Sequence, residues 1–305
     1  MEPTEQPSSQ PPVPVGPPVG TGGAVCYRHP ARPTRLGCSS CGRPICVDCT
    51  TQASVGQKCP ECAAPSGRNR VIRARDVSPS GMLDNAPVVT SILAVTVGIA
   101  FIALVAPAFW RSELFPLLAD STVRVAQGEW WRSVSAALVH DTGLLHVGFN
   151  MWALAVFGPT IERRAGSIPF LLMYLASAAA GGLLFQIVRE GDIAIGASGA
   201  IFGLFGAHLA AAFLARNTTA GRAGLRQLLP LLLINLFLPV LVPNIAWEAH
   251  IGGLVVGALI MVAWSKLAPL GRIVPADRGG LSPNLARAIV AGSVLVASLG
   301  VVSFV

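Results

Sequence analysis

From about residue 87 to the C-terminus the chain alternates between long apolar runs and short polar breaks. A helix needs about 20 predominantly apolar residues to cross a hydrocarbon core of about 30 Å. Seven runs approach that length: about 87–109, 145–161, 168–188, 197–215, 227–244, 247–266 and 284–304. Lipid offers the backbone no hydrogen-bond partner, so each run is predicted as a helix. Pro and Gly residues around 239–253 blur the boundary between the fifth and the sixth. Upstream of 87 this pattern disappears. Residues 1–24 are rich in Pro, Gly, Ser and Gln and have too little to bury, so a disordered tail is expected there. They lack the basic start and apolar stretch of a signal peptide. A cysteine-rich segment, 25–64, follows. Next comes a basic linker, 65–86, with Arg68, Arg70, Arg73 and Arg75, and then a membrane domain, 87–305.

Composition agrees with the pattern. Hydrophobic residues make up 52% of the chain and charged residues 12%, against about 25% charged in soluble domains. The formal net charge of +7 raises the question of nucleic acid, but the placement of the charges answers it otherwise. With the N-terminus in the cytoplasm and alternating helices, the inner segments hold Arg68, Arg70, Arg73, Arg75, Arg163, Arg164, Arg216, Arg222, Arg226, Lys266, Arg272, Arg278 and Arg287. The outer ones hold Arg111, Arg124, Arg132 and Arg189. Thirteen against four is a positive-inside bias. The basicity is therefore topological first, and no nucleic-acid partner is expected. Short loops and the missing targeting pattern point to a bacterial plasma membrane, with a multi-pass protein whose N-terminal segment is cytoplasmic.

The first loop, 110–144, is long and carries Trp110, Trp130 and Trp131. Tryptophan favours the membrane interface, so the loop is expected to be ordered and half-immersed, either as an anchor or to shape a substrate route.

Under this topology the second, fourth and sixth helices run from outside to inside. His146 and Asn150 fall near the start of the second, Ser198 at the start of the fourth, and His250 near the start of the sixth. Polar residues at membrane depth are costly and usually face the bundle interior or a water-filled cavity. Four at one level suggest a site. A serine hydroxyl needs a neighbouring base to become a nucleophile, and histidine titrates near neutrality. His146 and Asn150, spaced i, i+4, share a helix face. The Asn150 amide could donate to an oxyanion, and the Ser198 N–H, at a helix start, could add a second donor. Gly196 and Gly199 flank the serine and leave room for a substrate backbone. Glu248, two residues before His250, is on the wrong side of a helix to orient it, and Asp141 and Asp192 lie in loops. A Ser–His dyad is therefore expected.

Taken alone, Gly-x-Ser-Gly would read as helix packing, because small residues crowd membrane interfaces. Gly199-x-x-x-Gly203 and Gly253-x-x-x-Gly257 are such faces for the fourth and sixth helices. His208 lies about 15 Å deeper than Ser198 and reads as a polar residue of the inner half. His140 reads as either structural or cavity-lining. A transporter would show inverted repeats and midplane breaks, and no internal repeat is visible.

Residues 87–266 resemble the rhomboid family of intramembrane serine proteases. The likeness rests on Glu129-Trp130-Trp131-Arg132, His146-x-x-x-Asn150, Ile161-Glu162-Arg163-Arg164, Gly196-Ala197-Ser198-Gly199 and Ala249-His250-Ile251-Gly252-Gly253-x-x-x-Gly257. It implies an all-α polytopic bundle of six helices, made six-plus-one here by the seventh. It also implies Ser198 as nucleophile, His250 as base, His146 and Asn150 at the oxyanion, and a partly embedded Trp131-Arg132 loop. Phe202 stands where some relatives place tyrosine against the catalytic histidine. The implied reaction is hydrolysis of a peptide bond in or beside a transmembrane segment of a substrate protein, without a cofactor. The other reading is a catalytically silent relative that binds transmembrane helices and uses the N-terminal segment as an adaptor.

The cysteines run Cys26-x2-His29-x8-Cys38-x2-Cys41-x4-Cys46-x2-Cys49-x9-Cys59-x2-Cys62. Seven thiols and one imidazole suit two tetrahedral structural Zn²⁺ sites with no open position. Disulfides would need an oxidising compartment, and the odd cysteine count fits metal better. About forty residues cannot build a sufficient core alone, so metal should drive folding. The pattern resembles a B-box-type zinc finger in its first six ligands and departs at Cys59 and Cys62. That likeness implies cross-bracing, with Cys26, His29, Cys46 and Cys49 on one zinc and Cys38, Cys41, Cys59 and Cys62 on the other. Sequential pairing stays open. A protein partner is the expected use of this segment.

Overall fold

A computed structural model describes residues 24–52, 56–63, 83–241, 245–267 and 282–304. The expected tail, apart from residue 24, and linker residues 65–82 lie outside the described residues. So does the junction at 242–244 between the fifth and sixth helices. The chain divides into two compact units, Met1–Arg73 and Ala74–Val305.

The first unit is built of short antiparallel pairs. β1 (Val25–Cys26) pairs with β2 (His29–Pro33), and β3 (Thr51–Gln52) with β4 (Gln57–Lys58). A single helical turn, Pro60–Ala63, follows. Its buried cluster consists of Cys26, Cys38, Cys46, Cys49, Cys59 and Ile45. Ile45 is the one non-cysteine among these, with Tyr27 and Leu36 partly buried against it, so among the described residues little that is apolar holds the unit together besides the sulfurs.

The second unit contains seven helices of 17 to 23 residues among the described residues. They are α1 (Pro87–Val105), α2 (Leu144–Ala165), α3 (Ser167–Val188), α4 (Ser198–Leu214), α5 (Thr219–Leu241), α6 (Trp247–Leu267) and α7 (Pro283–Val302). Five of them, α1, α2, α3, α6 and α7, are long and apolar enough to cross a membrane. The seven helices are those expected from the hydropathy, and they agree with the polytopic, six-plus-one form that the resemblance implied. α5 begins about eight residues before its expected start and takes Arg222 and Arg226 into the helix.

Pro87 opens α1, where a missing N–H costs nothing. The free N–H groups of Val88 and Val89 are met by the two carboxylate oxygens of Glu162 near the end of α2, each at 2.9 Å. Gly166, at φ +97, then turns the chain directly from α2 into α3.

The core of the unit is α4, packed most closely against α6. The two small-residue faces expected from the sequence do meet. A Cβ built on Gly253 would overlap the Gly199 carbonyl, and one on Gly257 the Gly203 carbonyl. Backbone cannot move aside as a side-chain tip can. Gly257→Val is therefore expected to destabilise the bundle by about 3 kcal/mol, read as a lowered thermal midpoint in detergent, while an exposed change such as Val255→Ala leaves it in place.

Between α1 and α2 the first loop is ordered into short helical pieces, among them a π turn over Trp110–Leu114. A two-residue strand, β5 (Asp120–Ser121), pairs with β6 (Ile193–Ala194) just ahead of α4. Trp130 and Trp131 are 42% and 41% exposed, as interfacial side chains would be. Trp110 corrects the expectation. It is 4% exposed and packs with Ala103 and Val139, because the loop folds back and covers it. Arg132 is buried and kept there by Glu129, with which it pairs, and by the Ala119 carbonyl, to which its Nη1 donates at 2.9 Å.

Candidate active site

Ser198 is the first residue of α4 and His250 the fourth of α6. The glycine contacts between these helices bring their starts together, and His250 Nε2 lies 2.9 Å from Ser198 Oγ. Both residues are half-buried, neither sealed nor on the surface. The imidazole stacks on Phe202, one turn into α4, with ring centres 4.1 Å apart and planes 8° apart. Among the described residues no carboxylate is within ion-pair distance of His250; the ring is held by the aromatic face.

His146 is the third residue of α2, and Asn150 stands one turn further in. The His146 ring fills the space a side chain would need at Gly196, since a Cβ there would lie 2.7 Å from His146 Nε2. Gly196 is also at φ +113, a conformation L residues avoid. A Cβ on Gly199 would lie 3.3 Å from the Ala249 carbonyl oxygen. Protein atoms thus occupy the space beside both glycines; room for a substrate backbone is not what they supply. One Asn150 N–H donates to the His146 carbonyl at 2.9 Å, leaving the other amide proton uncommitted. The first intrahelical bond of α4 runs from the Ile201 N–H to the Ala197 carbonyl at 3.0 Å. The Ser198 N–H precedes that ladder, at the positive end of the helix dipole.

Two side chains that sequence reasoning left unassigned complete the site. His140 is 2% exposed, and its Nε2 accepts the N–H of Ala197, adjacent to the serine, at 3.3 Å. Burial, reinforced by His146, pushes its pKa down to about 4, which keeps that nitrogen free to accept. Asp141 lies in the loop before α2, with Oδ2 3.3 Å from His146 Nδ1. No periodicity links a loop residue to a histidine five positions on, so this contact was not legible. His208 is remote from the site: its Nε2 bonds the Phe157 carbonyl at 2.9 Å, between α4 and α2.

The first loop is tied to the same region. Gln186 of α3 donates to Asp120 Oδ1 at 2.6 Å. Burial raises the Asp120 pKa to about 7, with Gln186, Arg132 and Ser133 opposing.

In the first unit the donors fall into two groups, Cys26, His29, Cys46 and Cys49, and Cys38, Cys41, Cys59 and Cys62, with the atoms of each group within 4.8 Å of one another. This is the cross-braced arrangement, and either group could hold a metal ion. His29 Nδ1 lies 3.8, 3.4 and 3.4 Å from the sulfurs of Cys26, Cys46 and Cys49. Cys41 and Cys59 sulfurs are 3.8 Å apart. Tetrahedral zinc at about 2.3 Å from sulfur and 2.0–2.1 Å from nitrogen would set spacings of about 3.8 Å and 3.6 Å. A disulfide needs about 2.05 Å. The donors fit a metal and do not fit disulfides. Within the second group, backbone N–H groups, that of Cys59 foremost, draw the Cys38 thiol down to about 6, whereas burial raises Cys59 and the neighbouring Cys59 and Cys41 sulfurs raise Cys62.

A polytopic helical membrane protein with a serine and a histidine in contact at the mouths of two glycine-packed helices is what fold and site define. Residues 127–267 match the Rhomboid domain. The chain is 35% identical over 178 residues to YdcA of Bacillus subtilis (strain 168), whose name carries the term rhomboid protease; the match covers 57% of this chain and 86% of that one. It is 40% identical over 133 residues to "Rhomboid protease GluP" of the same organism, covering 44% of this chain and 26% of GluP. It is 38% identical over 138 residues to "RHOMBOID-like protein 6, mitochondrial" of Arabidopsis thaliana, covering 44% of each. The chain belongs to the rhomboid family.

Proposed function

We propose that this protein is an intramembrane serine endopeptidase that cleaves transmembrane segments of membrane proteins. The observation that carries the reading is the 2.9 Å contact between Ser198 Oγ and His250 Nε2. In the proposed reaction Oγ attacks the scissile carbonyl carbon while its proton passes to Nε2. The oxyanion is met by the Ser198 N–H, His146 and the free Asn150 proton. Nε2 then returns its proton to the departing amine, leaving an acyl ester on Ser198. Water, deprotonated by the same nitrogen, hydrolyses that ester. Family membership and the names of the relatives support this assignment. α4 spans about 26 Å, less than a hydrocarbon core of about 30 Å, which would recess the serine below the outer surface.

The proposed partition is a tail (1–24), a domain with two structural zinc ions (25–64), a linker (65–86) and the membrane domain (87–305). We place the protein in a bacterial plasma membrane with the zinc domain cytoplasmic, where it would contact a protein partner. The positive-inside bias supports this orientation, and the cross-braced donors support zinc.

The test is reconstitution with a model transmembrane substrate and mass spectrometry of the products. Cleavage within or beside the spanning segment is expected, and none with Ser198→Ala. A substrate bound stoichiometrically but never cut would instead favour the silent adaptor. Loss of one oxyanion donor costs about 10²–10³ in kcat. His146→Ala is expected to show that drop in steady-state kinetics, with a folded thermal profile.

A further inference from the structure

Two acidic residues that have no part in the dyad, Glu248 and Asp192, are joined by one cation. Arg189 caps the C-terminus of α3. Its Nε donates to Glu248 Oε1 at 2.7 Å, and its Nη1 lies 3.5 Å from Asp192 Oδ2. Glu248 stands two residues before His250, and Asp192 six residues before Ser198. One guanidinium therefore spans the approaches to both members of the Ser–His pair.

Each approach is stiff enough to transmit position. Glu248 is in the first turn of α6, so its place is coupled to that of His250 through one turn of helix. On the other side, Asp192 exchanges backbone and side-chain hydrogen bonds with Thr122. β6 pairs with β5, and the N–H groups of Gly196 and Ala197 are bonded to the Ala136 carbonyl and to His140. Little slack remains between Asp192 and Ser198. Glu248 is 1% exposed and its Oε2 has no hydrogen-bond partner. A buried carboxylate with unfilled acceptor sites is costly to keep. Its Arg189 contact is what compensates it, and that contact lies where the geometry of the pair is set.

We propose that Arg189, acting through Glu248 and Asp192, is a positioning residue that sets the separation of Ser198 from His250. The proposal rests on the catalytic reading of that pair. A displacement of about 1 Å can cost about 10²-fold in rate, so the bracket acts on kcat and hardly on substrate binding.

The test uses the full chain in detergent, comparing wild type, Arg189→Gln, Arg189→Lys and Glu248→Gln. Three quantities are read well below each thermal midpoint: the fluorophosphonate labelling rate per folded molecule, kcat and KM on a transmembrane substrate, and hydrogen exchange in 190–197 and 246–250. Arg189→Gln is expected to slow labelling and lower kcat by about 30- to 100-fold with KM nearly unchanged, and to speed exchange in both segments. Arg189→Lys keeps a charge but not the fork, and is expected to recover part of the rate. Glu248→Gln, nearly isosteric, is expected to shift the same quantities if Arg189→Gln fails to fold. A lowered thermal midpoint with unchanged labelling per folded molecule would overturn the proposal, as would faster exchange in one segment alone. Failure of the catalytic reading looks different. Wild type would then be neither labelled nor active, and coupled exchange in the two segments would uphold the bracket while removing its catalytic purpose.

Discussion

Ser198→Ala and His250→Ala are each expected to abolish labelling by a fluorophosphonate in detergent and to reduce cleavage by about 10⁴- to 10⁶-fold, with the double variant no worse than either single one. An unassisted serine hydroxyl is a poor nucleophile. In this site a single nitrogen, His250 Nε2, lies 2.9 Å from Oγ to take its proton. Removing either partner removes the whole device, hence the lack of additivity. Phe202 stacks on the imidazole, and among the described residues no carboxylate lies within ion-pair distance of it, so no third side chain described there should match these two in its loss. Equal labelling of wild type and His250→Ala, both with unchanged thermal midpoints, would sink the dyad.

Stripping metal with a strong chelator is expected to unfold the N-terminal unit while leaving the helical bundle intact. Structural zinc supplies about 10–16 kcal/mol of apparent binding energy in small zinc domains. Among the described residues the buried cluster holds Ile45 and otherwise only cysteines, with Tyr27 and Leu36 partly buried against it, too little apolar surface to hold the unit once the donors are released. Elemental analysis should give about two Zn²⁺ per chain, since four donors complete each tetrahedral site. Limited proteolysis should cut within 25–63 only after chelation. Because the ligand sets interleave along the chain, Cys38→Ser should loosen segments on both sides of Cys46 and Cys49. Sequential pairing would confine the damage to one side. A metal-free unit that stays folded and protease-resistant would overturn the zinc assignment.

Hydropathy was enough to place the helices. The expected runs and the observed helices agree closely for α3, α4 and α6, because a membrane helix must be apolar along its whole length and the backbone has no alternative to closing its own bonds. The boundary that moved most was the start of α5, where Arg222 and Arg226 made a helical end look like a loop. The places of Ser198, His250, His146 and Asn150 at or near helix starts followed from counting residues into the expected runs, and the eight candidate metal donors from spacing alone.

What the chain order could not carry were contacts between elements distant in sequence. Trp110 looked interfacial until the loop was seen to fold over it. His140 and Asp141 gained their roles from where the loop docks, and Glu248 from a guanidinium on a different helix. Gly196 and Gly199 looked like room for substrate, whereas His146 and the Ala249 carbonyl occupy that space. The sequence by itself determined the helices, their order, the polar residue types near the helix starts and the eight candidate metal donors, because local periodicity and ligand spacing are properties of short stretches. Only the tertiary structure decided which polar groups touch and which donors share a site. Those distances depend on how closely glycine lets α4 and α6 approach, and no single segment records that closeness.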